Sequence, residues 1–253
     1  MLKIIKIGGK LIENGELLNK LCDSLVDFAP DFILVHGGGL MAGELATKLG
    51  IEVKMHEGRR ITDKATLDIA VMAYAGLANK RVVAALQQRG INACGLSGCD
   101  MRCVTSHKRP VKDIDWGYVG DIDKVNGEML TTLLKQQIIP VISPITSDGG
   151  SQLLNTNADS VASEVAKEMA RHTDNVEMVF CLDKCGVLED INDDNSTIPI
   201  ITRKKYAELL ESGKIFSGML PKLENAYKLI DAGVTSVRLT NPDNLNGGTL
   251  VIK

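Results

Sequence analysis

The chain lacks the features that mark several large protein classes. No apolar run approaches the ~18 residues that a bilayer-spanning helix needs, and "MLKII" passes straight into Lys6 and Gly8 with no signal-peptide pattern. A cytoplasmic protein is therefore expected. Aromatic residues make up only 4% of the 253 residues and nowhere interleave with clustered Lys and Arg. With a formal charge of -3 and a pI near 5.9, nothing suggests nucleic acid as a partner. The six cysteines form no paired framework, so reduced thiols are expected. Cys99, Cys103 and His107 have the spacing of a partial metal site. A fourth ligand is missing, however, and "MRCVTSHKR" alternates like an exposed strand, so no metal site is expected there. Absent too are the Walker pattern G-x-x-x-x-G-K-[ST] and the protein-kinase signatures H-R-D and D-F-G.

What is present is alternation. The strand-like runs "LKIIKI", "FILV", "IIPVIS", "VEMVFCL" and "SVRL" are interleaved with helix-period segments at 15–28, 39–49, 157–171, 202–212 and 218–232. Near-continuous Ile/Val/Leu strands of this kind predict an α/β fold with a largely parallel sheet covered on both faces. Residues 92–126 break the rhythm with short alternating pieces and predict antiparallel hairpins. The polar stretch "RHTDN" near residue 172 is the best candidate boundary, dividing the chain into 1–172 and 173–253.

Two glycine turns follow strands. "VHGGG" (35–39) fits a dinucleotide fingerprint through Gly37, Gly39 and Ala42, with Glu57 about 20 residues on. "KIGGK" (6–10) closes the first strand, and removing side chains at such turns lets backbone N–H groups approach a phosphate. Lys6 sits between Ile5 and Ile7, where an unpaired ammonium is costly, so it requires an anion: an internal carboxylate or a ligand. Lys222 falls in the first turn of a helix starting near Gly218, where the dipole disfavours a cation unless a polyphosphate lies nearby. In "NTNAD" (155–159), Asn157 is a good N-cap, and Asp159 either complements the helix dipole or orients a lysine. His36, beside the loop, reads as structural rather than catalytic.

"IIKIGGKL", "VHGGG", "EGRRIT", "QLLNTNAD" and "SGMLPKLENA", in this order across essentially the whole chain, resemble the amino acid kinase family, in its branch acting on acylated glutamate. The resemblance implies a three-layer sandwich of two lobes: residues 1–172 for acyl-amino acid binding and dimerisation, and 173–253 for ATP. It implies transfer of a phosphoryl group from ATP, with Mg²⁺, to the γ-carboxylate of N-acetyl-L-glutamate, in arginine biosynthesis. Lys6 and Lys222 would neutralise the transferring phosphoryl group, and Asp159 would hold both lysines. Gly8, Gly9, Leu182, Asp183, Gly186 and Gly218 would border ATP, with Gly9, Gly38 and Gly39 donating N–H groups to its γ-phosphate. Gly38, Gly39, Arg60 and Asn155 would bind the acyl-amino acid, Arg60 taking the α-carboxylate. The implied chemistry suits the residues. A carboxylate with a pKa of about 4.3 needs no general base, so the task is charge neutralisation. Family members inhibited by arginine carry an additional N-terminal helix, so an arginine-insensitive homodimer is expected. N-Succinylglutamate and N-acetylaminoadipate remain alternative substrates. A dinucleotide-binding oxidoreductase or an amino-acid sensor is the alternative outside the kinases.

Overall fold

The computed structural model describes residues 1–190, 192–193, 196–212 and 219–253. Gly218 lies outside them. The chain opens with β1 (Leu2–Ile7), turns at Gly8 into short α1 (Gly9–Glu13), and continues into amphipathic α2 (Gly15–Leu25), N-capped by the Asn14 side chain. β2 (Phe32–His36) and α3 (Gly39–Lys48) repeat the arrangement around "VHGGG". A hairpin of β3 (Met55–His56) and β4 (Arg59–Arg60) leads into the longest helix, in which α4 (Lys64–Ala70), a π-helical stretch (Val71–Ala78) and α5 (Asn79–Gln87) run on continuously. β5 (Ala93–Leu96), β6 (Val104–Lys108) and β7 (Gly120–Val125) precede α6 (Gly127–Lys135) and β8 (Ile139–Ile142). The hairpin of β9 (Ile145–Ser147) and β10 (Leu153–Asn155) then feeds α7 (Ala158–Met169). The C-terminal part comprises β11 (Val176–Cys181), β12 (Ile200–Ile201), α8 (Arg203–Glu211), α9 (Leu220–Asp231), β13 (Ser236–Thr240) and β14 (Thr249–Val251).

The main sheet has the order β12-β14-β13-β11-β1-β2-β8-β5. From β13 to β5 all neighbours are parallel, while β14 runs against β13. Side chains alternate across this sheet. Ile5, Ile7, Phe32 and Leu34 join one core with α2, α3 and the long helix. Ile4, Ile33 and Val35 join the other with α6, α7 and α9. By the same parity, Lys6 belongs to the α7/α9 face and His36 to the face of the long helix. β1 has β2, its successor, on one side and β11 on the other, so the chain leaves these central strands in opposite directions. That is a topological switch point, which opens a crevice at the carboxyl ends of the strands.

Two expectations change. β5, expected in an antiparallel hairpin, is a parallel edge strand paired with β8, whereas β6 and β7 do pair antiparallel, in a separate four-stranded sheet. Four residues with a central Gly95 carry too little periodicity to tell these cases apart. The long helix, Lys64–Gln87, had no counterpart in the sequence expectations, and at mean hydropathy 1.3 it is long and apolar enough to cross a bilayer. Its π-helical stretch departs from the 3.6-residue period and blurs the pattern by which a helix is read. Here it packs against α3 and the sheet, burying Ile69, Ala73, Tyr74, Ala78, Val82 and Leu86.

Candidate active site

The two glycine turns lie against each other at the crevice. A Cβ added to Gly9 would stand 3.2 Å from Gly38 Cα and 3.4 Å from Gly39 N, closer than side-chain carbons normally come to backbone. Gly37 N donates to Ile7 O at 3.0 Å, tying the second turn to the end of β1. Behind Gly38 lies Tyr74 of the π-helical stretch, whose ring would stand 2.6 Å from an added Cβ. A side chain is thus crowded at Gly9 by backbone and excluded at Gly38 by an aromatic ring. Among the described residues, no backbone carbonyl accepts from the N–H of Gly8, Gly9, Gly38 or Gly39. The turns present bare donors to one place.

Lys6 reaches this place from the α7/α9 face. Its Nζ lies 2.8 Å from Asp159 Oδ1, with the lysine side chain 18% exposed and the aspartate 53% exposed. Asn157 caps α7 by accepting from Ser160 N at 3.0 Å, which fixes the turn that carries Asp159. The half-buried lysine has therefore found its carboxylate, and that carboxylate is exposed. α9 lies alongside, since α7 and α9 precede the parallel neighbours β11 and β13 and so run in the same direction. Asn225 Nδ2 donates to Ser163 Oγ at 3.3 Å, about one turn along from Lys222 and Asp159 respectively. Lys222 is exposed in the first turn of α9, at the same end as Lys6. It makes no ion pair with Asp159 among the described residues, so Asp159 holds one lysine here rather than both.

Arg60 approaches from β4. Its Nη2 donates to Gly39 O at 2.8 Å, while Nη1 is buried with no acceptor. A buried guanidinium nitrogen without an acceptor is costly, and an anionic ligand at this point would satisfy it. Asn155 Nδ2 donates to Thr62 Oγ1 at 3.0 Å, which in turn donates to Arg60 O at 3.2 Å. Tyr74 completes the cluster: burial raises its phenol pKa, opposed in part by the charge of Arg60.

Of the expected nucleotide-side residues, Leu182 and Asp183 follow the end of β11, where Leu182 N donates to Thr240 O at 2.6 Å. Asp183 pairs across the crevice with Lys10 at 3.6 Å, both side chains well exposed. Gly186 has φ +153 and is hemmed in by Thr249 and Thr197, which explains the glycine through backbone and packing. Glu57, the acidic residue of the dinucleotide fingerprint, sits in the exposed turn between β3 and β4 rather than at the end of a neighbouring parallel strand. The fingerprint is therefore a coincidence of spacing. Cys103 is buried and its thiol is pushed up to about 12 by burial. The His107 ring pairs with Asp123 at 2.6 Å, and exposed Cys99 contacts Ser97 at 3.2 Å. No disulfide joins any of the cysteines among the described residues.

The family model for the amino acid kinase family matches residues 1–241. This chain belongs to the amino acid kinase family. It is 50% identical over 248 residues to the acetylglutamate kinase of Phocaeicola vulgatus, covering 98% of this chain and 96% of that one. It is 36% identical to the acetylglutamate kinase of Methanopyrus kandleri, covering 99% and 100%. A protein of Streptococcus mutans UA159 of known crystal structure superposes with a TM-score of 0.77 at 29% identity, covering 99% of this chain and 98% of that one. Carbamate kinase from Giardia lamblia, solved bound to AMP-PNP, shares the fold at a TM-score of 0.70 and 13% identity, covering 100% and 98%. As a kinase of this family the chain uses ATP. Three residues in or behind the site went unread as such in the sequence: Tyr74, Thr62 and Asn79, whose Nδ2 lies 3.0 Å from His36 Nε2. Asn79 had a visible signal, a lone amide in the apolar stretch "MAYAGLANKRVV".

Proposed function

We propose that this chain transfers the γ-phosphoryl group of ATP to the γ-carboxylate of N-acetyl-L-glutamate, releasing ADP and an acyl phosphate, as a cytoplasmic step of arginine biosynthesis. The observation that carries the reading is the convergence of Lys6, pinned by Asp159, with the abutting turns at Gly9 and Gly38–Gly39. The reaction brings an ionised carboxylate against a polyphosphate, so its barrier is dominated by charge, and preorganised donors in a partly desolvated crevice lower it. Lys6 and Lys222 supply positive charge, and the turn N–H groups receive the equatorial oxygens of the transferring group. The unpartnered Nη1 of Arg60 fits the α-carboxylate of the acyl-amino acid, with Asn155 beside it. Gly8, Leu182, Asp183 and Gly186 would border ATP, with the nucleotide mainly on 173–253 and the acyl-amino acid on 1–172. Among the described residues no three His, Cys, Asp or Glu side chains form a metal site. Mg²⁺ carried on the nucleotide phosphates would supply further charge neutralisation. Met72 and Leu77, 50% and 46% exposed on the outer face of the long helix, support a homodimer formed through that face.

Incubation with MgATP and N-acetylglutamate, N-succinylglutamate or N-acetylaminoadipate, with hydroxylamine trapping of the acyl phosphate, tests the reading. Hydroxamate from N-acetylglutamate in preference to the others is expected. No hydroxamate from any of them would sink it.

A further inference from the structure

The phosphate-facing turn is held from behind by a buried polar relay whose proton positions can be deduced. Asn79 Nδ2 lies 2.9 Å from Val141 O and 3.0 Å from His36 Nε2. A carbonyl only accepts, so the nitrogen of the amide must face Val141, and the same nitrogen must donate its second hydrogen to His36 Nε2. Lys80 Nζ, 3.1 Å from Asn79 Oδ1, occupies the other end of the amide. His36 Nε2 is therefore a bare acceptor, and the imidazole proton resides on Nδ1, which donates to Gly37 O at 2.8 Å. The space for this relay is built in. A Cβ added to Gly95 would fall 1.9 Å from Asn79 Oδ1, so β5 gives up a side chain to admit the amide.

The consequence lies in the next peptide. In a trans peptide the C=O and N–H point in opposite directions. With the Gly37 carbonyl drawn towards His36, on the long-helix face, the Gly38 N–H points to the opposite face, where Lys6 and Asp159 meet. Arg60 holds the following carbonyl, Gly39 O. A three-glycine turn would otherwise rotate its peptides freely. We propose that His36 and Asn79 are positioning residues that lock the Gly37–Gly38 peptide so that the Gly38 N–H is preset towards the phosphoryl group in transfer. This rests on the phosphotransfer reading and extends it to two residues that touch no substrate.

Two measurements on the full chain test it. Long-range ¹H–¹⁵N correlation of histidine-labelled protein should show His36 protonated on Nδ1 and bare on Nε2; the opposite tautomer overturns the relay. Asn79→Ala should lower kcat roughly tenfold to hundredfold, less than the ~10²–10³ lost when a transition-state donor is removed outright. The KM values for MgATP and the acyl-amino acid should stay within about threefold, because a preset donor acts on the transition state. His36→Asn, whose amide can place a donor where Nδ1 stood, should keep most of kcat, whereas His36→Gln should not. Equal losses in those two variants, or an Asn79→Ala variant that changes KM alone, overturn the proposal. The two readings fail separately. A wild-type chain that yields no hydroxamate removes phosphotransfer and leaves the tautomer result to judge the relay. Turnover with His36 protonated on Nε2 removes the relay alone.

Discussion

β1 carries two lysines three residues apart, and the two ends of the strand treat them in opposite ways. At the amino end, Lys3 lies in register beside Glu177 of β11 and donates to its Oε1 at 2.6 Å, with side chains 11% and 3% exposed. Glu177 also accepts from Arg238 and Ser236, and Lys3 lies over the Phe28 ring. Burial pushes the Glu177 carboxyl up, but the hydrogen bonds and charges of Arg238 and Lys3 outweigh it and hold the carboxyl below its usual range. Each charge there is matched within the fold. At the carboxyl end, Lys6 has Asp159 as its ion-pair partner, a carboxylate 53% exposed, and Arg60 Nη1 is left without an acceptor. One end of the sheet closes its electrostatics within the fold, whereas the other leaves an exposed carboxylate and an unpartnered guanidinium nitrogen.

Mutations should separate the ends, and the largest effect is expected where the charges are closed. Glu177→Ala leaves Lys3 and Arg238 without their carboxylate and should cost about 3–5 kcal/mol in denaturant unfolding. Its specific activity per folded molecule should be little changed, and a large loss of kcat would blur the distinction. Lys6→Ala should do the reverse: kcat in the hydroxamate assay falls by about 10²–10³, worth ~2.7–4 kcal/mol, while the melting temperature moves by only a few degrees. Lys222→Ala is expected to follow it in direction.

Acid should reach the crevice end through His36. Burial lowers its pKa from 6.5 to about 4, with the Gly37 hydrogen bond opposing and Lys80 assisting. The folded state therefore refuses a proton that the unfolded chain accepts. The resulting stability is fully present above about 6.5 and is lost as pH falls towards 4. The full contribution is on the order of 3 kcal/mol. His36→Asn should show a shallower fall in melting temperature across that window than the wild type. Parallel profiles would mean that His36 does not titrate as its burial requires. The smallest effect is expected at Arg60. Arg60→Ala should chiefly raise the KM for the acyl-amino acid, by an amount equivalent to roughly 1.5–3 kcal/mol for one charged hydrogen-bonding partner. An equal rise in the KM for ATP would contradict its assignment to the carboxylate.

Much of this was legible before any coordinates. The apolar runs at Leu2–Ile7, Phe32–His36 and Val176–Cys181 announce buried parallel strands through composition alone, and glycines after the first two mark close approach of backbone. Asn157 as a cap and Asp159 in the first turn of α7 follow from local helix chemistry. The long helix was not legible, because its π-helical stretch breaks the period and there Met72 and Leu77 are apolar though exposed. The parallel placement of β5 was also hidden, since Gly95 is explained by the amide of Asn79 and not by anything within the strand.

The sequence by itself determined the strands, the glycine turns that follow the first two of them and the need of Lys6 for an anion, since these depend on side-chain alternation and local backbone freedom. Which lysine is matched by a buried carboxylate and which by an exposed one was decided only when β11 inserted beside β1. Its register brings Glu177 to Lys3 at one end, and the preceding helix, α7, delivers Asp159 to Lys6 at the other. The reason is physical: charge pairing depends on distance in space, and residues separated by more than 150 positions acquire that distance only through the sheet.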